Sequence, residues 1–240
     1  MRYFKNIIAG GCSFTAHTLG GRPPTQFYVG ENDYSNNSLN PNSWASFVAA
    51  DLKPQSFINL ASGGSGNIVI ANSIIDCFSR YNYEIDNTLL LFNLSGWDRY
   101  DLICDWHHPE CSDYVQWNKD ILPYAYIGHG KPLYEKIRKE LGFNNIEHLI
   151  TNFTELFLTW LDTKKINYTF TLMSEIDRNI FNKVISTRKD KLVTFGEIMY
   201  MREYALSINQ TYPDHQHPNQ QGHRQIADYA IEKIKNLYLQ

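Results

Sequence analysis

Short runs of apolar residues alternate along the chain with longer segments whose apolar positions recur at helical spacing. Each short run is followed by glycine or a polar residue, as expected of a buried strand that leads into a loop. The predicted strands are KNIIAGG (5–11), SFINLA (56–61), TLLLFNL (88–94), INYTFTLM (166–173) and, as a short last strand, KLVTF (191–195). The predicted helices are SWASFVAADL (43–52), IVIANSIIDCFSRY (68–81), IEHLITNFTELFLTWLDTKK (146–165) and GHRQIADYAIEKIKNLYL (222–239). This alternation predicts an α/β protein with a mainly parallel sheet of about five strands and helices on both faces.

Two segments interrupt the alternation. Residues 16–42 are rich in Gly, Pro, Asn and Ser and predict a long irregular excursion, which ends where Ser43 can cap the first helix. Residues 98–145 contain clustered aromatics and predict an insertion near the substrate cleft. The last helix is amphipathic, with one apolar stripe: Ile226, Ala227, Ala230, Ile231 and Ile234. No repeat or Ser/Pro-rich linker divides the chain, so a single domain over 1–240 is predicted.

Composition and charge narrow the classes of protein. With 43% hydrophobic and 20% charged residues, the chain has the composition of an ordinary soluble globular protein. A formal net charge of -3 gives no electrostatic reason to expect nucleic acid or an anionic membrane as a partner. No run approaches the ~20 apolar residues of a membrane span, and the N-terminal run is too short for a secretory signal. The expectation is therefore a cytoplasmic protein, of a size that one large core can support.

Small and polar residues follow three of the predicted strands. The strand ends read GGCSFT, NLASGGSGN and NLSGWDR, and a late loop, DHQHPN, precedes the last helix. In an open parallel sheet, ligands bind in the crevice beyond the carboxyl ends of the strands. These four pieces are therefore expected to meet at one site, although they are far apart in sequence.

A serine, a histidine and an aspartate at these places have the types needed for nucleophilic catalysis. A serine hydroxyl is a poor nucleophile until a base takes its proton, and a histidine held by a carboxylate is the usual base. Ser13 follows the first strand, while Asp214 and His217 have i, i+3 spacing that lets one turn carry both. Each residue alone also has a structural interpretation, as a turn serine, an Asx turn or a surface histidine. Together they predict acyl chemistry.

Acyl transfer also needs hydrogen-bond donors for the oxyanion of the tetrahedral intermediate. The backbone N–H groups of Ser13 and Gly64 are candidates, since glycine lets the backbone approach a substrate closely. The third strand end adds a side-chain donor, either Asn93 or Ser95. Two metal sites are alternatives: Asp214 with its neighbouring histidines His215, His217 and His223, and the run from Cys104 to Cys111 with its histidine pair. We favour solvent-facing or cap-like roles for His215 and His223, a polar loop for the run, and no metal.

The sequence resembles the SGNH, or GDSL-type, hydrolase superfamily in three blocks that occur in the expected order. They are Gly11-Cys12-Ser13-Phe14-Thr15, Asn59-Leu60-Ala61-Ser62-Gly63-Gly64 and Asp214-His215-Gln216-His217-Pro218-Asn219. The resemblance implies a flavodoxin-like three-layer fold and ester hydrolysis or acyl transfer, with Ser13 as nucleophile, His217 as base, Asp214 as its orienting partner and Gly64 as oxyanion donor. Cys12 stands where the family motif has aspartate, and Ser95 stands in the place of the family's oxyanion asparagine.

The predicted function is a serine esterase that needs no cofactor or metal. A small O-acyl group on a carbohydrate is the preferred substrate, because aromatic side chains such as Trp97 and Trp106 near the cleft stack well on sugar rings. An acyltransferase that uses the same site is one alternative. A non-catalytic carbohydrate-binding or assembly module is the other, and the altered third block and Cys12 motivate it.

Overall fold

The computed structural model describes most of the predicted strands and helices and part of the loops between them. The described residues are 4–15, 27–29, 43–61, 65–81, 83–96, 102–104, 125–127, 136, 139–140, 142–174, 179–212 and 217–239.

The main sheet is mixed, with four parallel strands and one short antiparallel edge strand. In chain order its strands are β1 (Asn6–Gly10), β2 (Phe27–Val29), β3 (Ser56–Asn59), β4 (Thr88–Leu94) and β7 (Asn167–Leu172). Their spatial order is β2-β3-β1-β4-β7, and only β2 runs antiparallel to its neighbour. The prediction of a mainly parallel sheet of about five strands is confirmed. The strand β2 was not predicted, since three residues are too few to show a periodic pattern.

The last predicted strand, 191–195, joins the edge of the sheet through one isolated bridge. Leu192 forms an isolated parallel bridge with Phe170 of β7, and Val193 N–H donates to the Phe170 carbonyl at 2.8 Å. With this segment counted as fifth, the parallel strands follow the order 2-1-3-4-5 of a doubly wound fold. Such a fold has a switch point between its first and third strands, here β1 and β4, where ligands bind at the carboxyl edge.

Helices cover both faces of the sheet. They are α1 (Trp44–Leu52), α2 (Asn67–Tyr81), α3 (Phe143–Thr163), α4 (Asn179–Ser186), α5 (Met201–Ser207) and α6 (Gln220–Tyr238). Buried residues of α2, α3 and α4 pack with one face of the sheet, and those of α1, α5 and α6 pack with the other. Alternate residues of the buried strand β4 enter opposite cores: Leu90 and Phe92 face α2 and α3, while Leu89 and Leu91 face α1 and α6. The three-layer α/β architecture is therefore confirmed.

Local sequence features, a capping residue and an apolar stripe, account for the helices α1 and α6. The Ser43 side chain accepts a hydrogen bond from the backbone N–H of Ser46, as predicted for the cap of α1. The predicted apolar stripe of α6 is buried along its whole length. Arg224 of α6 forms an ion pair with Asp51 of α1, with a 2.6 Å N–O distance. This pair joins two helices on the same face of the sheet.

The predicted insertion at 98–145 lies mostly outside the described residues. Within it, β5 (Leu102–Cys104) and β6 (Ala125–Ile127) pair antiparallel in a two-stranded sheet of their own. Its proposed place near a substrate cleft stays a prediction. None of the helices in the described ranges combines the length and the apolar character of a membrane span.

Candidate active site

Ser13 lies in a tight turn directly beyond the carboxyl end of β1. The Thr15 backbone N–H donates to the Cys12 carbonyl at 2.9 Å and closes a four-residue turn, in which Ser13 and Phe14 are the central residues. Gly11 leads into the turn with a φ of +150°, and a Cβ there would overlap Asn93 Oδ1 and the Thr15 side chain. Only glycine suits this backbone and this close approach. The glycine that precedes the turn is thus explained by packing at the switch point.

His217 meets the serine from the other end of the chain. Ser13 Oγ and His217 Nε2 lie 2.8 Å apart, although 204 positions separate them in sequence. The ring of Phe14 packs against the imidazole with a centroid distance of 4.5 Å. Both Ser13 and His217 are half-buried, so the pair is held by the protein and still faces solvent. The structure brings together these two residues of the predicted site.

Backbone pairing on both sides holds His217 in place. Its carbonyl accepts from the Tyr212 N–H at 2.9 Å, and the next residue, Pro218, bridges antiparallel to Thr211. Asn219 then caps α6, because its side chain accepts from the Gly222 N–H at 2.9 Å. A helix N-terminus and a two-residue bridge therefore anchor the loop that presents the imidazole.

Asn93, one of the two candidate oxyanion donors, is fully buried at the end of β4. Its Oδ1 accepts hydrogen bonds from the Cys12 backbone N–H at 3.0 Å and from Thr15 Oγ1 at 2.6 Å. Its Nδ2 lies 3.1 Å from Cys12 Sγ and 3.3 Å from the Leu94 carbonyl oxygen, and donates to both. The side chain thus contacts the turn that carries Ser13.

Ser95, the other candidate oxyanion donor, is also fully buried, but its hydrogen bonds differ from those of Asn93. Its backbone N–H donates to Asn67 Oδ1 at 2.7 Å, while its Oγ has no hydrogen-bond partner within the described residues. Gly10 and Phe92 pair in register between β1 and β4, and Ser13 and Ser95 each lie three positions beyond that pair. A buried hydroxyl that has no partner among the described residues, on the same sheet edge as Ser13, can donate to a ligand.

The solvent-facing or cap-like role predicted for His223 is wrong, because the side chain is buried and Asn219 caps the helix. His223 is only 6% exposed, because positions 223, 227, 230 and 234 form the core-facing stripe of α6 at helical spacing. Burial, and to a smaller extent the nearby His217, lower the pKa of His223 to about 3. His223 is therefore a neutral imidazole near His217, and its Nδ1 has no partner in the described part of the chain.

Several predicted site residues lie outside the described residues. They are Gly64, Trp97, Trp106, Asp214 and His215, together with the run that follows Cys104. Their predicted roles stay predictions. Within the described ranges, no group of three or more His, Cys, Asp or Glu side chains is placed to hold a metal ion.

The sequence patterns do not reveal two side chains, Trp44 and Asn59, that hold the turn of Ser13 through Thr15. Trp44 Nε1 donates to Thr15 Oγ1 at 2.8 Å, and Asn59 Nδ2 donates to the Thr15 carbonyl at 3.0 Å. Asn59 is a polar residue at the end of an otherwise apolar strand, and such a residue is the sequence signal for a buried hydrogen bond. A buried polar side chain needs a partner, but the sequence does not say which one.

Comparisons with known proteins add little to this geometry. No protein-family model matches the chain, and no curated protein matches its sequence. Among solved structures, the chain is similar to a member of the lipolytic protein G-D-S-L family from Veillonella parvula DSM 2008. The match has 11% identity and a TM-score of 0.33 and covers 98% of both chains. Since that score is too low to support an inference about activity, the function has to follow from the site itself.

Proposed function

We propose that the protein is a serine-dependent ester hydrolase in which Ser13 is the nucleophile and His217 is its base. The observation that carries this proposal is the 2.8 Å contact between Ser13 Oγ and His217 Nε2 at the carboxyl edge of the sheet. A structural role as a turn serine or a surface histidine does not explain a contact across 204 positions at the switch point of a doubly wound fold. A serine within hydrogen-bond reach of an imidazole is the arrangement that activates a hydroxyl.

The proposed reaction has two steps. His217 Nε2 takes the hydroxyl proton as Ser13 Oγ attacks the ester carbonyl, and the protonated imidazole then donates that proton to the leaving alcohol. Water, deprotonated by the same nitrogen, releases the acid from the acyl-serine and restores the free hydroxyl. Asp214 would accept the Nδ1 proton of His217, which fixes the tautomer that leaves Nε2 free to act as base.

The developing oxyanion would be bound by the backbone N–H groups of Ser13 and Gly64 and by the Ser95 hydroxyl. Ser95 is preferred to Asn93 because its hydroxyl has no partner among the described residues, whereas both amide hydrogens of Asn93 are already donated. A small O-acyl group on a carbohydrate remains the proposed substrate, with Trp97 and Trp106 as proposed stacking surfaces.

Hydrolysis of p-nitrophenyl acetate tests the nucleophile. We expect Ser13→Ala to lower kcat by at least about 10³-fold, because the acyl-serine can no longer form. The matched control is Ser79→Ala, which removes an exposed helix hydroxyl that donates to the Ile75 carbonyl of its own helix. A fluorophosphonate probe should label Ser13 in the wild type, as read by peptide mass spectrometry, and should not label Ser13→Ala.

Each result decides between functions. Full activity in Ser13→Ala would disprove the mechanism. Labelling of Ser13 without hydrolysis of the acetate would favour an acyltransferase, and the acceptor could then be sought among sugar alcohols. If the wild type is neither labelled by the probe nor active on the acetate, a non-catalytic module that keeps the fold would be favoured.

A further inference from the structure

We infer that Asn93 is the positioning residue of the nucleophile turn and not a donor to the oxyanion. The inference rests on the proposed function, because it concerns how Ser13 is presented to His217. It gives this asparagine, which lies at the end of β4, a role different from stabilising the transition state.

One atom of Asn93 holds both ends of the turn. Asn93 Oδ1 accepts from the backbone N–H of Cys12, the first residue of the turn, and from the hydroxyl of Thr15, the last. The two residues between them, Ser13 and Phe14, are the ones that contact the His217 imidazole. A change at Asn93 therefore reaches the Ser13–His217 pair through the turn that carries Ser13.

The direction of these hydrogen bonds follows from donor chemistry. A backbone N–H can only donate, so the Asn93 atom that faces Cys12 N must be the oxygen. An indole N–H can also only donate, so Thr15 Oγ1 accepts from Trp44 Nε1 and directs its single hydrogen to Asn93 Oδ1. The chain of donors runs from Trp44 through Thr15 to Asn93, and the orientation of the amide is fixed.

The same orientation leaves no hydrogen for a substrate. The two Nδ2 hydrogens of Asn93 are donated to Cys12 Sγ and to the Leu94 carbonyl. Cys12 Sγ lies in turn 3.4 Å from Met173 Sδ, as donor to that sulfur. Asn93, Cys12, Thr15 and Trp44 are all fully buried, so water does not compete for these bonds.

Substitutions at Asn93 and Thr15 test the inference by kinetics on p-nitrophenyl acetate. Asn93→Ala and Thr15→Val should each lower kcat by about 10²-fold with KM nearly unchanged, because a misplaced nucleophile slows chemistry more than binding. Thr15→Ser retains the hydroxyl and should recover most of the turnover lost in Thr15→Val. The matched control is Thr169→Val, which makes the same change at a buried threonine of β7 whose hydroxyl has no partner among the described residues and should leave kcat unchanged.

The double variant separates positioning from oxyanion binding. If Asn93 and Thr15 act through one turn, the double variant should be no slower than the slower single variant. Independent oxyanion binding by Asn93 predicts instead that the two losses in kcat multiply, and that result would overturn the inference. Unchanged turnover in Asn93→Ala would overturn it as well.

A readout that does not need activity keeps the inference separate from the proposed function. The ¹⁵N chemical shift of His217 Nε2 reports its hydrogen bond to Ser13, and Ser13→Ala defines the shift without that bond. Asn93→Ala and Thr15→Val should move the shift toward the Ser13→Ala value, even if the wild type hydrolyses no ester. If Asn93→Ala does not fold, the Thr15→Val and Thr15→Ser pair still decides, and a wild-type shift in Thr15→Val would disprove the inference.

Discussion

The buried His223 should make the protein sensitive to acid. Its pKa is lowered to about 3 in the folded protein, from an ordinary value of 6.5, first by burial and then by the nearby His217. A lowered histidine pKa means that the unfolded chain binds a proton before the folded protein does. The stability that depends on the neutral imidazole is therefore fully present above pH 6.5 and is lost as the pH falls from 6.5 toward 3.

The size of the effect follows from linkage. Between pH 7 and pH 4, a single group with these two pKa values removes about 3 kcal/mol from the free energy of unfolding. The perturbation that isolates it is His223→Leu, which replaces the imidazole by an apolar side chain on the core-facing stripe of α6. This variant cannot take up the proton, so its free energy of unfolding should fall less steeply with pH.

Urea denaturation of wild type and His223→Leu at pH 7, 5.5 and 4 measures the difference. The gap between the two free energies of unfolding should change by about 3 kcal/mol in favour of the variant over this range. His148→Gln, a change at an exposed position of α3, is the control and should follow the wild type. Parallel pH curves for wild type and His223→Leu would refute the reasoning, because other groups would then carry the whole acid dependence.

Two further substitutions separate the site from the scaffold. Ser95→Ala should lower kcat on p-nitrophenyl acetate by about 10²-fold, the typical cost of one lost oxyanion donor. Urea denaturation should show no loss of stability, because the hydroxyl has no partner in the described part of the protein. Turnover equal to that of the wild type would remove Ser95 from the oxyanion site. Arg188→Met should do the reverse. Its guanidinium donates to Asp162 at 2.9 Å and to Glu155 at 3.3 Å, so its loss should lower the free energy of unfolding by about 2 kcal/mol with kcat unchanged, and a large loss of turnover would contradict the separation.

Most of the regular structure could be predicted from the chain, because the periods of strands and helices are local. The run 88–94 was predicted as a buried strand and is one, with every residue buried. The short edge strand β2 escaped prediction, since three residues carry no period. The burial of His223 is also a local property, because its spacing from Ala227 and Ala230 places it on the core-facing stripe of the helix.

The sequence by itself determined which residues could do chemistry and which elements carry them. Ser13 after the first strand and His217 before the last helix are visible in the printed letters, and so is the glycine that the turn requires. Only the tertiary structure decided that the serine and the histidine meet, and that Asn93 turns its amide toward Cys12 and Thr15. The physical reason is the separation along the chain between the residues that interact. Helix and strand patterns depend on neighbours a few residues away, whereas a contact across 204 positions and the partner of a buried amide depend on how the whole sheet is assembled.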